Sequence, residues 1–128
     1  MLAVKLFTNF SAWLNLKLNR PKQAKNAEEL AKAWLELMPP DGSEEFKIDR
    51  IEKDTAFVEI HLKCPLRGTG KVNACYELMN YDRKLMEKVG GNLIVLKSQS
   101  QGKRKFCELA IRKKGKSVED LIPAHLAK

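Results

Sequence analysis

Apolar residues along this chain change period several times, and each change marks an element. Leu2, Leu6, Phe10, Trp13 and Leu14 recur at steps of three and four, which predicts a helix over 2–18. Asn19-Arg20-Pro21 ends it, because a residue before proline avoids helical dihedrals. Leu30, Trp34 and Leu37 form the stripe of a second helix over 27–38. Asn26 and Glu29 stand at capping-box spacing before it, and Pro39-Pro40-Asp41-Gly42 closes it. The period then falls to two. Val58, Ile60, Leu62 and Cys64 alternate with Glu59, His61 and Lys63, so 46–52 and 56–64 read as two strands around the Lys53-Asp54 turn. Helical spacing returns from Lys71 to Val89 and stops at Gly90-Gly91. Two more strands, 92–100 and 105–113, turn at Gln101-Gly102, and a short helix over 118–126 follows.

The order α-α-β-β-α-β-β-α predicts a single α+β domain over residues 1–128. Its β-β connections are too short for parallel crossovers, so both hairpins are antiparallel. Two hairpins around one helix are expected to pair into a four-stranded antiparallel sheet with helices on one face. A chain of 128 residues is long enough to bury a core without disulfides or metal.

Charge adds one feature to this picture. The formal net charge is +8, and between Lys97 and Lys116 eight lysines and arginines face only Glu108. Such a field attracts phosphate, acidic protein or anionic lipid. It is also what a solvated hairpin edge carries against aggregation. Nucleic acid is an unfavoured partner, because Phe106 is the lone aromatic available for stacking there. Three cysteines in no CxxC pair argue against a disulfide scaffold and for a reducing, cytoplasmic setting. The apolar N-terminal segment is interrupted by Lys5 and Lys17 and is too short to span a bilayer. Phe7, Phe10 and Trp13 suit an interfacial anchor, but packing on the sheet or on a second copy, giving a homodimer through the N-terminal helices, is the favoured expectation.

Several residues carry candidate chemistry. Strand alternation puts Cys64 with Val58, Ile60 and Leu62, and Cys107 with Leu109 and Ile111, so both thiols are expected inside. Cys75, Leu78, Met79, Asp82, Leu85, Met86 and Val89 share one helical stripe. Asp82 is the anomaly there: a carboxylate on an apolar face is hydrogen-bonded, paired, for instance with Arg83, or functional. No thiol or histidine pair has zinc-ligand spacing, so no metal is expected. Arg67-Gly68-Thr69-Gly70-Lys71 lies at a strand-to-helix junction, where an anion can be held. Its spacing fits neither a P-loop nor a dinucleotide fingerprint, so no cofactor is implied.

Cys64-Pro65 at a strand end, a helix carrying Asp82, Gly90-Gly91 after it and Phe106-Cys107 in the last strand form a wider pattern. Over residues 56–113 it resembles the L-2-amino-thiazoline-4-carboxylic acid hydrolase-like family and the related 4-vinyl-reductase (V4R) small-molecule-binding domains. That fold is shared with trafficking-complex subunits of the TRAPP type. The family pattern often has a cysteine just before the helix aspartate, where this chain has Leu78 and Met79 and places Cys75 a turn earlier. The resemblance implies a pocket between the long helix and the sheet, lined by Cys64, Asp82 and Cys107. It implies a small, partly apolar ligand, with Arg67 or Lys71 meeting a carboxylate or phosphate on it. The alternative is a hydrolase of cyclic amide-like or thiazoline substrates, with Asp82 as general base and Cys75 as candidate nucleophile.

Overall fold

The computed structural model describes residues 2–19, 21–38 and 44–127. The Pro39–Gly42 stop therefore lies outside the described residues. Helices α1 (Leu2–Asn19) and α2 (Ala27–Leu37) precede strands β1 (Phe46–Glu52) and β2 (Thr55–Ile60). Helices α3 (Val72–Leu78) and α4 (Asn80–Lys88) follow, then strands β3 (Gly91–Lys97) and β4 (Cys107–Lys113). The strands form one antiparallel sheet in the order β1-β2-β4-β3. The chain is an α+β fold with this element order.

Local chemistry explains the ends of these elements. Asn26 Oδ1 accepts from Glu29 N at 2.9 Å and caps α2. Glu29 Oε1 reaches back to Lys25 N at 2.9 Å, one residue beyond the usual capping-box donor. The helical pattern of 71–89 is carried by two helices that adjoin at Met79, whose ψ of −2° departs from helical values. At that joint Asn80 Nδ2 donates to Thr8 Oγ1 and Asn9 Oδ1 of α1, at 2.9 and 2.7 Å. Gly90 takes φ +94°, the left-handed geometry that closes a helix. Gly91 is required by contact: a Cβ there would sit 2.6 Å from Leu30 Cδ2 and 3.3 Å from Arg112 O.

Several boundaries differ from the sequence reading. Strand β3 ends at Lys97 and β4 begins at Cys107, so residues 98–106 form a longer connection than the expected turn at Gln101-Gly102. Strand β2 ends at Ile60, not at Cys64: beyond it His61 N still donates to Glu45 O, but Leu62 O and Cys64 N are bonded to the Gln99 side chain instead of to a neighbouring strand. The C-terminal segment forms a single 3₁₀ turn, Ala124–Leu126, in place of a helix over 118–126. Upstream of it the Asp120 carboxylate accepts from Arg112 at 2.6 and 2.8 Å.

Helices α2 and α4 cover one face of the sheet, and α1 lies outside them on α3 and α4. The core sits between sheet and inner helices, where Leu30, Trp34, Val58, Leu85, Leu109 and Ile111 are fully buried. The joint of α1 to α4 is made differently. Thr8 and Ala12 are the buried residues of α1, and Asn15 Nδ2 donates to Tyr81 Oη at 2.6 Å and to Leu37 O at 3.1 Å.

Candidate functional site

Under α1, at one end of the sheet, lies a cavity of about 440 Å³. Its roof is Phe7, Thr8 and Ser11 of α1. Phe46, Ile60 and Cys107 form the sheet wall, and Cys75, Met79 and Asp82 of the α3–α4 joint stand opposite. The loop after β2 contributes Leu62, Cys64 and Pro65. Cys64, Cys75, Asp82 and Cys107 are thus brought to one space. The register places Cys107 beside Ile60, which aligns those two wall residues. Cys64 reaches the cavity from a loop rather than by strand alternation.

Asp82 is 7% exposed. Its Oδ2 accepts from Trp34 Nε1 at 2.8 Å, so its partner is an indole on α2 and not Arg83. Arg83 instead donates through Nη2 to Tyr76 O at 2.6 Å and lies 4.0 Å from the Tyr76 ring. No second hydrogen bond reaches the Asp82 carboxylate among the described residues. Burial pushes its pKa up from 3.8 to about 6, opposed by the Trp34 hydrogen bond and by the charge of Arg83.

Two of the three thiols, Cys75 and Cys107, are held as neutral groups. Burial pushes Cys75 upward, partly offset by Ser98 Oγ donating to its sulfur at 3.0 Å. Cys107 is raised for the same reason, and its sulfur accepts from Gln99 N at 3.4 Å. Cys64 is half-buried, and Leu66 N points to its sulfur at 3.4 Å. Neither histidine joins them. His61 bonds Glu59 at 2.8 Å and stacks on Phe106, while His125 lies against Tyr76. Among the described residues no group of three His, Cys, Asp or Glu side chains is placed to hold a metal ion.

Gln99 was not legible as a site residue. It is 1% exposed, and its side-chain amide donates to Ile60 O and Leu62 O at 3.2 and 2.9 Å. Its Oε1 accepts from Cys64 N at 3.2 Å and from Arg67 Nε at 2.8 Å. One buried amide therefore fixes the loop that carries Cys64. The sequence signal is the polar run Ser98-Gln99-Ser100 at the end of an apolar strand, all three buried.

Arg67 and Lys71 do not line the cavity. Arg67 spends its guanidinium on Gln99 and on Lys105 O at 2.8 Å. The backbone N–H groups of 67–71 are all taken, which leaves only side chains there to meet an anion. Arg67, Gly68, Thr69 and Gly70 donate to backbone carbonyls, and Lys71 N donates to Thr69 Oγ1. Lys71 is exposed.

The basic run is also redistributed by the fold. Lys103, Arg104 and Lys105 sit before β4, and Lys113, Lys114 and Lys116 at its far end, some 20 Å away at the ordinary rise per residue. Strand β4 is central rather than an edge, so these lysines do not protect an open strand. Arg112 is committed to Thr55 Oγ1 and Asp120.

No family model, curated protein or solved structure matches this chain. The resemblance seen in Cys64-Pro65, Asp82, Gly90-Gly91 and Phe106-Cys107 accordingly rests on those residues alone. Among the described residues no helix is long and apolar enough to cross a membrane.

Proposed function

We propose that this domain binds a small, largely apolar molecule in the cavity beneath α1, with Asp82 as its polar anchor. The observation that carries the reading is the carboxylate of Asp82: a buried acid in an apolar wall, with one oxygen bonded to Trp34 and, among the described residues, no hydrogen bond at the other, on a side chain that lines the cavity. Ligand pockets commonly combine an apolar lining of this kind with a few placed polar groups, and span about 300–1,000 Å³. The resemblance to V4R-type domains suggests the same use of the space. The group best matched to Asp82 is an ammonium or N–H donor, which would supply the missing hydrogen bond and lower the cost of the buried charge. Arg67 and Lys71 take no part in this reading.

The hydrolase alternative has less support. An activated thiol needs a neighbouring base or cation. Cys75 and Cys107 are instead held as thiols by burial, with His61 bonded to Glu59 and His125 set against the Tyr76 ring.

Thermal-shift and calorimetric titrations with tryptamine, phenethylamine and their carboxylic-acid counterparts test the proposal. The amines are expected to bind at pH 7.5 and the acids are not. Binding should weaken about tenfold one pH unit below the Asp82 pKa of about 6, as the carboxylate is neutralised. Asp82→Asn should remove amine binding while leaving the fold intact. Equal binding of amines and acids, or of amines to Asp82→Asn, would overturn the reading.

A further inference from the structure

Helix α1 is oriented the wrong way round for a water-facing helix. The side turned to α3 and α4 carries Thr8, Ser11, Ala12 and Asn15. The side turned outward carries Leu2 at 72% exposure, Leu6 at 59%, Phe7 at 70%, Phe10 at 59%, Trp13 at 53% and Leu18 at 75%. These side chains present on the order of 800 Å² of apolar surface, above the roughly 300–600 Å² of the largest patch on a typical monomer. Phe7 also roofs the cavity, whose rim adds Leu62 and Leu78, both about half exposed.

Charge indicates what covers this face. The first acidic residue of the chain is Glu28; before it stand Lys5, Lys17, Arg20, Lys22 and Lys25. Along the flank of α1 runs a groove of about 700 Å³ with Ala12, Trp13 and Leu16 on its floor and Lys17, Lys84 and Lys88 around it. Glu87 is the one acid in that lining, and it is engaged by Lys84 at 3.6 Å. Lys17 Nζ lies 5.6 Å from the Trp13 ring, an aromatic and a cation side by side at the outer surface. A second copy would bring the same excess of lysines over acids to the contact. A surface of anionic headgroups over acyl chains complements both the charge and the apolar stripe.

We propose that α1 lies in the interface of an anionic lipid bilayer, with Phe10 and Trp13 at the headgroup–acyl boundary and Lys17, Lys84 and Lys88 at the phosphates. The helix rests on the bilayer rather than crossing it. This proposal does not depend on the cavity binding an amine.

Sedimentation with vesicles of phosphatidylcholine, with and without 30% phosphatidylglycerol, tests it on the full chain. Binding to the anionic vesicles is expected to exceed binding to the zwitterionic ones by at least tenfold at 0.1 M salt, with a blue shift of tryptophan emission from Trp13. Phe10→Asp combined with Trp13→Asp should abolish it. Both positions are exposed, so circular dichroism should be unchanged. Lys84→Gln and Lys88→Gln should each weaken it roughly fivefold. Equal binding to both vesicle types, or to neither, overturns the proposal. So does a stable dimer in sedimentation equilibrium that Phe10→Asp dissociates, because the face would then belong to a second copy.

Discussion

Helices α1 and α2 are both rich in leucine, each contains a tryptophan, and they meet opposite fates. Helix α2 turns Leu30, Trp34 and Leu37 into the core and its charges outward. Helix α1 turns its small and polar side inward and leaves its large apolar residues outside. The difference lies in what each has to pack against. Helix α2 faces an apolar sheet surface that accepts bulk and excludes water. Helix α1 faces a helix layer whose contact points are Asn80 and Tyr81, which reward hydrogen bonding and close approach. An apolar stripe records that a face is to be covered, but the covering element decides which face is inside.

Substitution at matching positions in the two layers should break this symmetry. The largest effect is expected at Trp34→Ala, which removes a fully buried ring and its hydrogen bond to Asp82. A loss of about 3–5 kcal/mol in urea denaturation is expected. A loss below about 1 kcal/mol would mean that the inner layer is not the stabilising one.

Asp82→Asn should have the opposite sign. The folded pKa of about 6 lies above the unfolded value near 3.8. The folded state therefore holds its proton more tightly, and the contribution of Asp82 to stability falls as pH rises from about 4 to about 6. At pH 7.5 the variant should be more stable by up to about 3 kcal/mol, and that part of the pH dependence should vanish from thermal melts. Destabilisation of the variant at pH 7.5 would show that the charge is compensated in the folded protein.

Gly91→Ala should cost about 1–3 kcal/mol, since Leu30 is fully buried and has little room to retreat from the new methyl group. Chemical denaturation with an unchanged m-value checks this. Phe10→Ala should change stability least, by less than about 0.5 kcal/mol, because the ring is already in contact with solvent. A larger loss would place Phe10 in an interface present in solution.

Much of the frame was readable from residue order. The tight first hairpin, the Asn26 cap and the glycine stop after α4 follow from local rules, and local rules act within a few residues; the second hairpin was read with too short a turn. Asp82 was visible as a misfit in its stripe for the same reason. Its partner was not visible, because Trp34 lies in another helix and nothing in either segment refers to the other. Gln99 was hidden by its type: glutamine is ordinarily a surface residue, and only the folded loop shows that its amide serves four groups. The turn at 67–71 shows the reverse. Its glycines do give a tight backbone, but the carbonyls of Gln99 and Ser100 had already taken the N–H groups of Gly68 and Gly70.

The strand order carries a consequence for how the chain assembles. Each hairpin closes over a short stretch, but the seam between them pairs Thr55 with Arg112 and Ile60 with Cys107. That seam joins residues about fifty positions apart, and closing so long a loop is slow compared with forming either hairpin. The cavity walls meet at this seam, with Ile60 and Cys107 as its end pair. The cavity is therefore a late product of folding, absent from any intermediate in which the hairpins have formed but not docked.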